Sequence, residues 1–205
     1  MLLKVFIAFL ILITVIVGYV CISRWRVKKT TKPAEIYYVD NDIFIPEIKR
    51  LIDEGKTVTF TVRGYSMRVF VEHERDKVLL EPADHLETGD VILARVRFIG
   101  RDGRPIIRNG EEVRKYVLHR LIKRDGDDLV LKGDGNLYGV ETCCTSDVVG
   151  KVRGFYRKGR KTPDLVTGRK WRTYSYIWLK LTFMRRYLLA FYRRVWLKVF
   201  PIKYK

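Results

Sequence analysis

Cysteine is scarce in this chain, with three residues in 205. Cys21, Cys143 and Cys144 form an odd count with no Cys-x-x-Cys spacing, which excludes a disulfide framework and a thiolate zinc site. Neighbouring side chains of an extended segment point apart, so Cys143 and Cys144 read as small packing residues and not as a redox pair. Histidine is equally scarce at three positions, so an imidazole general base has few candidates. Acidic residues are nearly missing from both ends. Residues 1–39 hold one against six Lys and Arg, and residues 151–205 hold one against 17, whereas residues 40–150 hold 21 against 18. The net charge of +18 therefore excludes a uniformly basic globule and describes a mildly acidic middle between two cationic tails. A hydrophobic fraction of 47% excludes a wholly disordered or collagen-like chain, and the length allows one core domain with attachments.

The first tail carries an uncharged run, VFIAFLILITVIVGYVCIS, from Val5 to Ser23. At ~1.5 Å per helical residue it nearly crosses a ~30 Å hydrocarbon core, and it predicts a single-pass transmembrane anchor over residues 1–29 with its basic flank. A cleaved signal peptide would need a shorter apolar region and an Ala-x-Ala-like site, which Gly18, Tyr19, Val20 and Cys21 do not provide. Arg24, Arg26, Lys28 and Lys29 follow the run while only Lys4 precedes it, so the charge bias places the following domain in the cytoplasm.

Residues 30–56 read as a linker and a helix, since Phe44, Ile45, Ile48, Leu51 and Ile52 recur at helical spacing and Gly55 supplies a stop. The period then changes. Segments 57–62, 77–81, 90–98, 115–122, 128–132 and 147–157 are rich in β-branched and aromatic residues and are separated by Gly, Asp, Asn and Pro. They predict a mainly β fold, a mostly antiparallel and partly closed domain over residues 57–160, with residues 97–112 as a hairpin tip or insertion.

Few residues in that domain suit covalent chemistry. Ser66, in Gly64-Tyr65-Ser66-Met67, follows a predicted strand where the glycine permits a tight turn, but a serine hydroxyl needs a base before it is a nucleophile. His73 and His85 fall in charged loops and read as surface residues. His119 lies within KYVLHRLI, where alternation groups it with Val117 and Leu121 and lets the imidazole emerge from an apolar face, as a general base requires. Lys132-Gly133-Asp134-Gly135-Asn136 is a turn after a strand that could carry Asp134 or Glu141 towards that ring.

Together these segments resemble the serine peptidase superfamily of type I signal peptidases and self-cleaving SOS-response repressors. Gly64-Tyr65-Ser66-Met67 is similar to the nucleophile box, Thr88-Gly89-Asp90-Val91-Ile92 to the Gly-Asp strand start, and His119-Arg120 to the base box. Lys132-Gly133-Asp134 and Val149-Gly150-Lys151-Val152 are similar to the family's Lys-Gly-Asp turn and closing strand. The base is His followed by Arg, as in the archaeal and endoplasmic-reticulum type. The resemblance implies a signal-peptidase-like β fold with Ser66 as nucleophile, His119 as general base, Asp134 or Glu141 as supporting acid, and the Ser66 backbone N–H in an oxyanion hole. It implies no metal and no cofactor. The proline that usually follows in Ser-Met-x-Pro is replaced here by Val69. The resemblance also implies an external active site, against the charge bias.

The last segment, residues 161–205, places Tyr174, Ile177, Trp178, Leu181, Met184, Leu188, Phe191, Val195 and Val199 at three- and four-residue intervals among Arg and Lys. It predicts an amphipathic helix lying on an anionic lipid surface. A helix packed on the β domain is a second reading, and a nucleic-acid arm is the weakest, so no nucleic-acid partner is expected. The expected function is a membrane-anchored serine endopeptidase acting on a preprotein or another membrane-proximal polypeptide substrate. The alternative is a catalytically inactive binding module that keeps the peptidase fold at the membrane.

Overall fold

In the computed structural model the described residues are 41–100 and 102–202. The predicted anchor over residues 1–29 lies outside them. The first element, α1 (Asn41–Asp53), forms because Ile45, Ile48 and Ile52 bury one stripe while Lys49 with Asp53 and Arg50 with Glu47 pair in solvent. Gly55, with φ of +76°, closes it.

Ten strands follow. They are β1 (Val58–Thr61), β2 (Lys77–Glu81), β3 (Val91–Phe98), β4 (Ile107–Arg108), β5 (Glu111–Glu112), β6 (Arg114–Asp125), β7 (Asp128–Lys132), β8 (Glu141–Cys144), β9 (Val148–Tyr156) and β10 (Asp164–Leu165). The main sheet runs β1-β2-β9-β3-β6-β7-β8, antiparallel at every pairing, with β10 beside β9 and β4-β5 as a separate hairpin. β8 also pairs with β3, through Arg97 opposite Thr142 and Phe98 opposite Glu141, and this closes β3-β6-β7-β8 into a small barrel. Ile92, Val96, Leu121, Leu129, Leu131 and Cys143 share one buried cluster formed by these strands. A second core of Val78, Leu80, Val152 and Phe155 lies between β1-β2-β9 and α1.

The six strands expected from sequence correspond to β1, β2, β3, β6, β7 and β9, and the 97–112 segment contains the β4-β5 hairpin. β8 was not anticipated, because Glu141-Thr142-Cys143-Cys144 is short and shows little alternation of apolar and polar types. Cys143 and Cys144 are free, and burial pushes the Cys143 thiol up to about 12.

The tail folds as α2 (Arg169–Lys180), a 3-10 turn (Thr182–Met184), α3 (Arg185–Phe191), a π-helical stretch (Tyr192–Trp196) and α4 (Leu197–Val199). Residues 162–202 belong to the same compact unit as the β domain. The expected lipid-facing stripe is corrected here. Trp178 is buried, as are Trp171, Leu189 and Tyr192, and Tyr174, Ile177, Leu181, Met184, Leu188 and Phe191 are partly covered; only Val195 and Val199 of that stripe are exposed. The physical reason is area. Phe155 of β9 and Phe70 of the loop after Ser66 offer apolar rings, and packing Trp171 against Phe155 and Trp178 against Phe70 removes large rings from water. The exposed aromatics of the tail are instead Tyr176, Phe183 and Tyr187. Among the described residues no helix is long and apolar enough to cross a membrane.

A tail that completes the core must stabilise the β domain. Trp171→Ala is expected to cost about 3–5 kcal/mol in urea denaturation, and ending the chain at residue 168 should lower the midpoint further. Unchanged midpoints would mean that the tail does not contribute to the core.

Candidate active site

Ser66 sits in a turn held from three sides. Val62 precedes the turn as a buried core residue, Gly64 adopts φ of +98°, and Met67 plugs the core at 2% exposure, so the intervening Ser66 is left at the surface of that core, partly accessible. His73 supports the turn from outside. Its Nδ1 accepts the Gly64 N–H at 3.0 Å and its ring stacks on Tyr65 at 4.9 Å. Sequence read His73 as a surface residue, and that reading is corrected: it is partly covered and braces the Ser66 turn. His85 is exposed, as expected.

The loop that follows Ser66 is fixed by two fully buried acids, Glu72 and Asp76, on either side of His73. Asp76 takes Arg75 at 2.6 Å and Arg157 of the β9 end at 2.8 Å, and it caps the Glu72 N–H at 3.0 Å. Glu72 accepts Arg68 Nε at 3.0 Å and the hydroxyl of Tyr192 from the tail. Burial, followed by the Glu72 hydrogen bond, raises the Tyr192 pKa, so the hydroxyl remains a donor.

His119 stands in β6, opposite Ile92 of β3, and is 4% exposed. Its Nδ1 lies 3.1 Å from Oε2 of Glu141, the first residue of β8. A carboxylate only accepts, so this contact puts the Nδ1 proton on the Glu141 side and leaves Nε2 free to act as base. Nε2 faces the Ser66 turn across Gly133. A Cβ at that glycine would lie 2.6 Å from the Ser66 carbonyl oxygen and 3.0 Å from His119 Nε2, so the serine backbone and the imidazole meet at one point that only glycine leaves open. The turn is tied there directly, with the Gly135 N–H donating to the Ser66 carbonyl at 2.7 Å. Among the described residues the Ser66 hydroxyl forms no hydrogen bond to the ring.

Of the two candidate acids, the structure brings Glu141 to His119 and takes Asp134 elsewhere. Asp134 is fully buried and accepts Arg120 Nε at 2.9 Å, Arg120 Nη2 at 2.7 Å and the Tyr174 hydroxyl at 2.8 Å. Arg120 also donates to the Gly89 carbonyl at 2.7 Å and to Ser175 Oγ at 2.6 Å, and it lies over Trp171 and Tyr174, 5.3 Å from each ring centre. Burial pulls the Arg120 pKa down, and Asp134 outweighs it to leave the guanidinium above its ordinary value. Burial first, and then the charge of Asp134, hold the Tyr174 hydroxyl well above its own. Alternation along β6 explains the division of roles: His119 and Arg120 leave the strand on opposite faces, one towards Glu141 and the other towards Asp134 and the tail.

Among the described residues no three His, Cys, Asp or Glu side chains gather as a metal site. An open depression of about 510 Å³ lined by Ile52, Pro82, Thr145 and Val149 includes neither Ser66 nor His119.

These partners predict different costs in denaturation. Asp134→Ala leaves a buried guanidinium unmatched and should lose about 3–5 kcal/mol, whereas Glu141→Gln, which keeps an acceptor for Nδ1–H, should lose about 1 kcal/mol. Equal losses would show that the two carboxylates share one role. In comparison with known proteins, no family model and no curated protein matches this chain, so the site rests on its own geometry.

Proposed function

We propose that the chain is a membrane-anchored serine endopeptidase of signal-peptidase type, in which Ser66 is the nucleophile and His119 the general base. The observation that carries this reading is the buried His119 held through Nδ1 by Glu141 while Nε2 and the Ser66 backbone converge on Gly133. In the proposed reaction Ser66 Oγ attacks the scissile carbonyl carbon as His119 Nε2 takes its proton. The imidazolium then returns that proton to the leaving amine, and the peptide carbonyl remains as an ester on Ser66. A water that gives its proton to His119 then attacks the ester carbonyl, and His119 passes that proton to the departing Ser66 Oγ, which releases the acid and restores the serine. Glu141 keeps the ring in the required tautomer, and the Ser66 N–H, which has no acceptor among the described residues, is the backbone donor for the developing oxyanion. Asp134 and Arg120 hold the framework and take no proton. No metal or cofactor enters the scheme.

The proposed substrate is a preprotein or another polypeptide beside the membrane, because the uncharged run from Val5 to Ser23 would tether the domain there.

Full-length protein in detergent, assayed on a preprotein, tests the roles. Ser66→Ala and His119→Ala should each lose at least about 100-fold in turnover, and Glu141→Gln at least about tenfold. Asp134→Asn should act mainly through stability. Wild-type turnover should fall on the acid side, since a protonated imidazole cannot accept the serine proton. Full activity in Ser66→Ala would remove that residue from the mechanism, and an inactive wild type would favour the binding module.

Protease accessibility of the β domain in intact cells tests sidedness. Digestion from outside is the expected result for cleavage of exported preproteins, and protection would support the cytoplasmic placement that the positive flank favours.

A further inference from the structure

Three buried N–H donors lie together where the tail passes from α2 to α3, and none has an acceptor. They are Trp178 Nε1, Arg185 Nε and Arg185 Nη1. The residues are 5% and 4% exposed, and the guanidinium stands 5.3 Å from the centre of the Trp178 ring. Buried polar atoms in folded proteins are almost always paired, and a buried cation without an anion is costlier still. The neighbouring buried charges obey that rule. Arg120 has Asp134, Glu72 has Arg68 and Tyr192, Asp76 has Arg75 and Arg157, and His119 has Glu141. Arg185 is the exception among the fully buried charges of the described residues; the half-buried Arg97 of β3 also leaves its Nε without an acceptor, apart from the site.

Its surroundings are short of negative charge. Asp134 is engaged by Arg120 and Tyr174, and Glu141 by His119. Lys132, the residue before Gly133, adds a second cation close enough for Arg185 to lower its pKa beyond the lowering by burial. Burial likewise pulls the Arg185 guanidinium below its ordinary value, with Arg120 acting in the same direction and Asp134 against it. The place is next to the candidate active site. Trp178 packs edge-on against Phe70 of the loop that follows Ser66, 5.9 Å between ring centres, and Lys132 leads into the turn that meets Ser66 and His119.

We infer that Arg185 and Trp178 form an oxyanion subsite adjoining the Ser66–His119 pair, and that its occupant is a carboxylate carried by the polypeptide substrate. This rests on the endopeptidase reading for the identity of the occupant. A lipid phosphate fits less well, because Arg185 and Trp178 lie on the inner side of the tail beside Phe70 and Lys132, while the adjacent Arg186 and Tyr187 face outward. A guanidinium supplies charge-assisted hydrogen bonds to a carboxylate, and the indole N–H adds a neutral one.

Calorimetric titration of full-length Ser66→Ala protein in detergent at fixed ionic strength tests this without turnover. The probes are N-acetylglutamate amide and N-acetylaspartate amide, with N-acetylglutamine amide as the neutral control and inorganic phosphate as the other oxyanion. An acidic amide should bind saturably and the neutral one should not. Adding Arg185→Gln should weaken binding at least about tenfold and Trp178→Phe about threefold, while Arg186→Gln should leave it unchanged. In buffer free of these anions, Arg185→Met should keep or raise the thermal midpoint, since it removes a charge with no internal partner. No saturable binding, equal binding by Arg185→Gln, binding of phosphate alone, or a midpoint several degrees lower in Arg185→Met would each overturn the subsite. An inactive wild type whose Ser66→Ala form still binds acidic amides through Arg185 would sink the endopeptidase reading and leave the oxyanion subsite standing.

Discussion

Arg120 is the largest fully enclosed side chain among the described residues, and its charge has to be answered where water cannot reach. The protein answers it with Asp134 in a two-point pairing, the Gly89 carbonyl, Ser175 and two aromatic faces. The partners come from three parts of the chain outside β6: the turn before β3, the turn after β7, and α2. Satisfying one guanidinium thus fixes four segments relative to one another. Because Arg120 is next to His119 in β6, the same pairing sets where the imidazole can stand.

A second buried network does for the serine side what Arg120 does for the histidine side. Glu72 and Asp76 turn the loop after Ser66 back on itself, Arg157 ties it to β9, and Tyr192 reaches it from the tail. The tail therefore contacts both halves of the candidate site, through Tyr174 on Asp134 and through Tyr192 on Glu72. Both contacts are hydroxyl donors to carboxylates, and in both the phenol is kept protonated by burial and by its acidic neighbour. Packing and hydrogen bonding act together here, since the rings supply area and the hydroxyls supply register.

The tail has two unlike faces. The inner one is aromatic and completes the core, with Arg185 as its single unmatched charge. The outer one carries exposed Tyr176, Phe183 and Tyr187 with Arg172, Lys180 and Arg186, and has no acid to neutralise them. That outer face is aromatic and cationic, and its residues differ from the stripe read from periodicity. Periodicity reports that one side of a helix is apolar, and it does not say whether lipid or protein covers that side.

The sequence by itself determined the mainly β class, six of the strands, and the positions of Ser66 and His119, because alternation, turn glycines and β-branched runs are local signals. It also put forward Asp134 and Glu141 as the two carboxylates that could reach His119. Only the tertiary structure separated these two, because β8 closes the barrel through pairings with β3 and β7, and that closure carries Glu141 to the ring while Arg120 captures Asp134. The same reason hid Glu72, Asp76 and His73, whose sequence neighbourhood VEHERDK looks solvated. The burial of the two acids depends on Arg157, 81 positions beyond Asp76, and on Tyr192, 120 beyond Glu72, while His73 is placed by the Ser66 turn through Gly64 and Tyr65. Charge is legible in a sequence, but which charges share a low-dielectric interior is decided by long-range contacts alone.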